Sequence, residues 1–123
     1  MPLIVTVEQK QPGVCVVSIV GSIDSETYVD LERELSPLLT LPPRVLIFDM
    51  GGVQFISSMG LSVVFKTRTL LQRTHCTFML VNLQPHVKKV FEIIHTPADL
   101  SIFASMQEAD RYLARLEQPG PGA

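Results

Sequence analysis

Apolar and polar positions alternate from Leu3 to Glu8 and again from Val14 to Val20, and both runs are rich in Val, Ile and Thr. A period of two in β-branched residues sets one face of a strand against a core and the other toward water. Between the runs lies Pro12-Gly13, a pair suited to the centre of a type II turn, so an antiparallel hairpin is predicted, ending at Gly21. The period then changes. Tyr28, Leu31, Leu35 and Leu38 recur at helical spacing behind Asp24-Ser25, whose side-chain oxygens suit a helix cap. Pro37 is expected to distort or end that helix, and Pro42-Pro43 closes the segment.

Val45-Leu46-Ile47-Phe48 is a continuous apolar run ending in Asp49, the mark of a strand covered on both faces. Gly51-Gly52 predicts a turn. A helix follows Phe55-Ile56-Ser57-Ser58, with Leu61, Val64, Phe65, Arg68 and Leu71 on its inner side. Thr77 to Val81 reads as the next buried strand. Pro85 suits a first helical turn, ahead of the apolar stripe Val87, Val90, Phe91 and Ile94. Ser101 to Phe103 is a short strand, and Ser105 with Glu108 forms a capping box for a last helix that buries Ala109, Tyr112, Leu113 and Leu116. The order β-β-α-β-α-β-α-β-α predicts an α/β fold: a mixed, mostly parallel sheet of about four or five strands, an N-terminal β-hairpin and about four helices. One domain is expected over residues 1–117, with a C-terminal tail over 118–123.

Composition narrows the functional classes. The 123 residues include 46% hydrophobic and 18% charged side chains, which suits a packed domain and not a disordered chain. A net charge of -2 supplies no basic face for nucleic acid. Apolar runs are too short for membrane insertion, and no basic segment with an apolar core opens the chain, so a cytoplasmic location is expected. Cys15 and Cys76 lie in strand-like runs; two cysteines do not define a disulfide, and buried free thiols are the plainer reading.

Familiar catalytic constellations are scarce. His75, His86 and His95 lack metal-ligand spacing and read as surface or helix-end residues. No glycine stands two residues ahead of Ser57 or Ser58, as a nucleophile elbow requires. Gly51-Gly52 is too short to cradle a phosphate, and Asp24 and Asp49 read as cap or turn residues. No cofactor, metal or catalytic set is therefore expected. The stretch Phe55 to Leu61 carries more. Either Ser57 or Ser58 can cap the helix there, and Gly60 permits close approach by another chain. A helix N-terminus also favours negative charge. An added phosphate would be tolerated there by the protein itself, while a partner on that surface would meet roughly −1.5 to −2 charges.

Four segments together resemble the STAS domain, specifically its stand-alone anti-sigma factor antagonists. Gly21-Ser22-Ile23-Asp24 looks like the family's motif after the second strand, and Ile47-Phe48-Asp49-Met50 like its central strand. Phe55-Ile56-Ser57-Ser58-Met59-Gly60-Leu61 resembles its signature loop and helix start, and Pro85-His86-Val87-Lys88-Lys89-Val90-Phe91 the opening of its third helix. The resemblance implies a non-enzymatic partner switch. The unphosphorylated antagonist binds an anti-sigma factor that is a GHKL-type serine kinase, phosphorylation releases it, and a PP2C-type phosphatase resets it. By position the acceptor would be Ser58, with Ser57 as rival where many members carry aspartate. The resemblance further implies a partner-binding surface of Asp24, Ser25, the loop from Gly52 through Gln54 to Ser57, and the exposed side of the next helix around Met59, Ser62 and Val63. Met59, where the family carries a small or hydroxyl residue, would tune partner choice. Two other readings stand beside this one: a constitutive STAS scaffold in a transporter or stress-sensing complex, and a small hydrolase or ligand-binding domain using the same serines.

Overall fold

The alternating runs at the N-terminus form β1 (Ile4–Gln11) and β2 (Val14–Ile23), joined at Pro12-Gly13 with Gly13 at φ 80°. In this computed structural model, which describes residues 3–94 and 100–117, there follow α1 (Tyr28–Thr40), β3 (Val45–Ile56), α2 (Ser58–Gln72), β4 (Thr77–Val81), α3 (Pro85–Ile93), β5 (Ser101–Phe103) and α4 (Met106–Glu117). His95 and the expected tail over 118–123 lie outside the described residues. The sheet order is β1-β2-β3-β4-β5, with β1 antiparallel to β2 and every later pair parallel. This is the mixed, mostly parallel α/β sheet that the order of elements predicts.

The apolar strands are covered on both faces, as their lack of alternation requires. On one face Val17, Ile19, Leu46, Phe48, Phe78 and Leu80 pack under α1, α2 and α3, which contribute Leu31, Leu35, Val64, Leu71, Val87 and Phe91. On the other, Val14, Val16, Val45, Ile47, Met79 and Val81 meet Ala109 and Leu113 of α4. Each fully buried Leu, Ile or Phe stabilises by about 1.5–3 kcal/mol relative to exposure, so this two-sided core outweighs any single polar contact. Cys15 and Cys76 are free and half-buried. Burial pushes the Cys76 thiol up to about 11.

Several local expectations are corrected. Gly51-Gly52 is not a turn: β3 runs through it for 12 residues. Relative to β2 the strand gains one residue between the Ser18↔Asp49 and Val20↔Gly52 pairs, and another between Gly21↔Val53 and Ser22↔Phe55. Each extra residue is a β-bulge, which bends a strand and re-aims its side chains. Gly52 sits where β2 comes closest, since a Cβ there would lie 2.7 Å from Val20 Cγ2 and 2.9 Å from the Ile19 carbonyl oxygen. Likewise, β2 does not end at Gly21 but continues to Ile23. Pro37 neither ends nor breaks α1, which continues to Thr40 and closes with the Leu41 N–H donating to the Pro37 carbonyl at 3.1 Å. Arg33 and Pro37 are both exposed, so the carbonyl that loses its helical donor lies on the water side. The inner face of α2 is Gly60, Val63, Val64, Thr67 and Leu71, with Leu61, Phe65 and Arg68 only half-buried, because α2 packs against α1 as well as the sheet. Leu116 and Ile94, expected inside, are exposed.

Candidate partner-binding site

The carboxyl ends of β2 and β3 meet at the start of α2. Ser57 donates its backbone N–H to the Ile23 carbonyl at 2.8 Å, fastening the end of β3 to the end of β2. Ser57 is extended (φ -90°, ψ 176°), the geometry of a residue about to enter a helix, and its Oγ accepts the Gly60 N–H at 3.2 Å. The open choice of cap is thereby resolved in favour of Ser57. Gly60 does permit a close approach, but by the protein's own β2: a Cβ there would lie 2.7 Å from the Ile23 carbonyl oxygen and 2.8 Å from Ile56 Cγ1.

The two serines therefore differ in situation. Ser57 is half-buried and its hydroxyl is engaged as the cap. Ser58 is the first residue of α2, is exposed, and accepts the Ser62 hydroxyl on its carbonyl at 3.0 Å. At that position the unpaired N–H groups of a first helical turn place partial positive charge beside the side chain.

Asp24 stands one residue beyond Ile23 and organises the approach to α1. Its Oδ1 accepts the N–H groups of Glu26 at 2.9 Å and Thr27 at 3.0 Å. Those two donors, Glu26 first, hold its carboxyl below the usual 3.8. Thr27 completes the turn: its Oγ1 donates to the Ser22 carbonyl at 2.7 Å and accepts the Asp24 N–H at 2.9 Å. Asp24 is thus a turn-builder before the helix, not its cap, which falls at Thr27, whose side chain accepts no N–H of the helix's first turn.

Of the expected surface, Ser25, Gln54, Ser58, Met59 and Ser62 are exposed and Asp24, Gly52 and Ser57 half-buried. The expected placement of Val63 on the exposed side of α2 is corrected: at 4% exposure it belongs to the core between α2, α1 and the sheet. Phe55 lies inside the expected loop, but its exposure does not follow from strand alternation. Phe55 is 53% exposed and, with Met59 at 40%, sets apolar side chains on either side of the serine pair. Strict alternation would have alternated Gln54 and Phe55 between faces; the bulge between Val53 and Phe55 leaves both outside. One polar group did go unread. Beyond the end of β4, the Asn82 Nδ2 donates to Asp49 Oδ1 at 3.1 Å, the Gln84 Nε2 donates to the Gly51 carbonyl at 2.9 Å, and the His86 ring bonds the Gln54 carbonyl. Among the described residues, no helix is long and apolar enough to cross a membrane.

Comparison with known proteins accords with this arrangement. A Bordetella bronchiseptica protein, BtrV, named as a candidate anti-sigma factor antagonist, is 34% identical over 102 residues, covering 81% of this chain and 85% of its own. Among solved structures, an anti-sigma factor antagonist from Mycobacterium paratuberculosis superposes with a TM-score of 0.82 at 24% identity, over 91% of this chain and 94% of that one. The Bacillus cell fate determinant SpoIIAA in its phosphorylated form superposes with a TM-score of 0.70 at 18% identity, over 89% of this chain and 99% of that one. These two establish likeness of fold. The sequence pattern of the STAS domain matches residues 6–109, and with it the chain belongs to the STAS domain family.

Proposed function

We propose that this protein is an anti-sigma factor antagonist: a binding protein, not a catalyst, that engages a GHKL-type serine kinase when unmodified and is released by phosphorylation of Ser58. A PP2C-type phosphatase would return it to the binding state. The observation that carries this reading is the contrast between the two serines. Ser58 presents an exposed hydroxyl at the first position of α2, whereas the Ser57 hydroxyl caps the same helix. BtrV and the mycobacterial structure bear the antagonist name, and SpoIIAA is known in a phosphorylated form, which supports the same role here.

The binding surface in this reading comprises Asp24, Ser25, Gly52, Gln54, Phe55, Ser57, Met59 and Ser62. Phe55 and Met59 supply the apolar contact, and the serines and Asp24 form a polar rim. A kinase seated there would transfer the γ-phosphoryl of ATP to Ser58 Oγ. The product carries roughly −1.5 to −2 charges, which the N-terminus of α2 tolerates but a closed interface must desolvate beside Asp24. A loss of about 3–4 kcal/mol weakens binding several-hundred-fold, enough to exchange partners. The test is to incubate the protein with ATP and each GHKL-type serine kinase of the source organism, then map any phosphate by mass. Ser58→Ala should bind without being released and Ser58→Asp should bind weakly. Phosphate on Ser57 alone, or none with any kinase, sinks the proposal.

A further inference from the structure

β3 outruns its neighbour. Its pairing with β4 begins at Val45↔Thr77 and stops at Asp49↔Val81, yet β3 continues to Ile56. From Gly51 onward no strand among the described residues lies on that side, and this half of β3, paired with β2 alone, leads directly into Ser57 and Ser58. A strand edge without partners is held by few backbone bonds and opens locally at low cost.

The segment after β4 supplies what the missing strand does not. Asn82 takes a left-handed conformation (φ 63°), which an asparagine tolerates better than most residues, and the chain turns toward α3. Its side chain donates to Asp49 Oδ1 at 3.1 Å, and the same oxygen accepts the Gly51 N–H at 3.0 Å. Two residues on, Gln84 Nε2 donates to the Gly51 carbonyl at 2.9 Å. Two further on, the His86 ring bonds the Gln54 carbonyl. Asn82, Gln84 and His86 therefore meet β3 in succession at residues 49, 51 and 54, like rungs of a ladder made by side chains.

We infer that Asn82, Gln84 and His86 are positioning residues for the partner-binding loop, a side-chain clasp that stands in for a longer β4. The clasp fixes Gln54 at the second bulge, and that bulge turns both Gln54 and Phe55 outward. It also occupies carbonyls that an added strand would otherwise use, which protects the exposed edge from unintended pairing. The inference rests on the proposal that this loop contacts a partner, since only then does its placement affect function. Gln84 and His86 are the more informative pair, because they hold the backbone of β3 itself.

The experiment is amide hydrogen exchange on the intact protein, comparing wild type with Gln84→Ala/His86→Ala, paired with affinity for the same panel of purified kinases. Amides of residues 53–57 should exchange roughly tenfold faster in the double variant, the expectation for two modest hydrogen bonds lost. Those of Leu46 to Phe48 should be unchanged, and kinase affinity should fall by a similar factor. His86→Gln, which keeps a donor, should retain most of the wild-type behaviour. Unchanged exchange at 53–57 overturns the clasp, and so does an equal rise in the central strand. Faster exchange with undiminished affinity overturns the positioning role. If wild type itself binds no kinase, the proposed function fails, while the exchange measurement still decides whether the clasp holds the loop.

Discussion

Two adjacent serines, chemically identical, have been given different work by a single change of backbone conformation. Ser57 is extended and its hydroxyl accepts the Gly60 N–H; Ser58 is already helical and faces out. The consequence separates stability from function. Ser57→Ala should cost about 1 kcal/mol, the usual cost of removing a serine N-cap, and lower the thermal midpoint by several degrees. Ser58→Ala removes an exposed hydroxyl and should stay within about 0.5 kcal/mol of wild type. Thermal denaturation of both variants checks this; equal destabilisation, or the larger loss at Ser58, would show that the cap has been assigned to the wrong serine. The sequence alone offered both as caps because either stands close enough to the helix start, and only the backbone angles at Ser57 decide between them.

At the scale of elements, the junction of β2, β3 and α2 is set by contact distance. Gly60 lies against the Ile23 carbonyl, its α-hydrogen filling space that a methyl group cannot enter without moving backbone. Gly60→Ala should therefore destabilise by about 1–3 kcal/mol although alanine is the better helix former, since overpacking outweighs the gain in propensity. A midpoint equal to or above wild type in urea would refute the contact. These elements also show what periodicity reveals and what it hides. Strands with continuous apolar runs and helices with clear stripes were legible, because burial on a face leaves a repeating mark. The bulges in β3 were not, since an inserted residue erases the repeat that would announce it, and Gly51-Gly52 then imitates a turn. Pro37 misled for a related reason: a proline weighs against a helix by its own chemistry, but an exposed position late in α1 limits the damage. Val63 appeared to face out until α1 was seen to cover that side of α2.

Considered as a whole molecule, the sheet divides two cores with unequal roles. Helices α1, α2 and α3 cover the face from which the Ser58 turn is built, whereas α4 covers the other with Ala109 and Leu113. This division was legible only in part, because a sequence names apolar positions without saying which helix lies on which side. The connections decide it: β4 and β5 are parallel neighbours, and after β5 the chain places α4 opposite α3. With the proposed function, the arrangement predicts that stability and switching can be altered independently. Leu113→Ala leaves a cavity under α4, at 4% exposure in the native protein, and should cost about 2–4 kcal/mol. No residue of the Ser58 turn belongs to that cluster, and the strands between the two faces are held mainly by one another. Under the proposed function, the Leu113→Ala protein below its lowered melting transition should therefore accept phosphate at Ser58 from its kinase at a rate within about twofold of wild type, since about 0.4 kcal/mol is all that such a factor represents. The measurement is an initial rate of phosphorylation at a temperature where circular dichroism shows the variant fully folded. A rate depressed in proportion to the loss of stability would mean that the two faces of the sheet move as one body, with α4 helping to hold the serine in place.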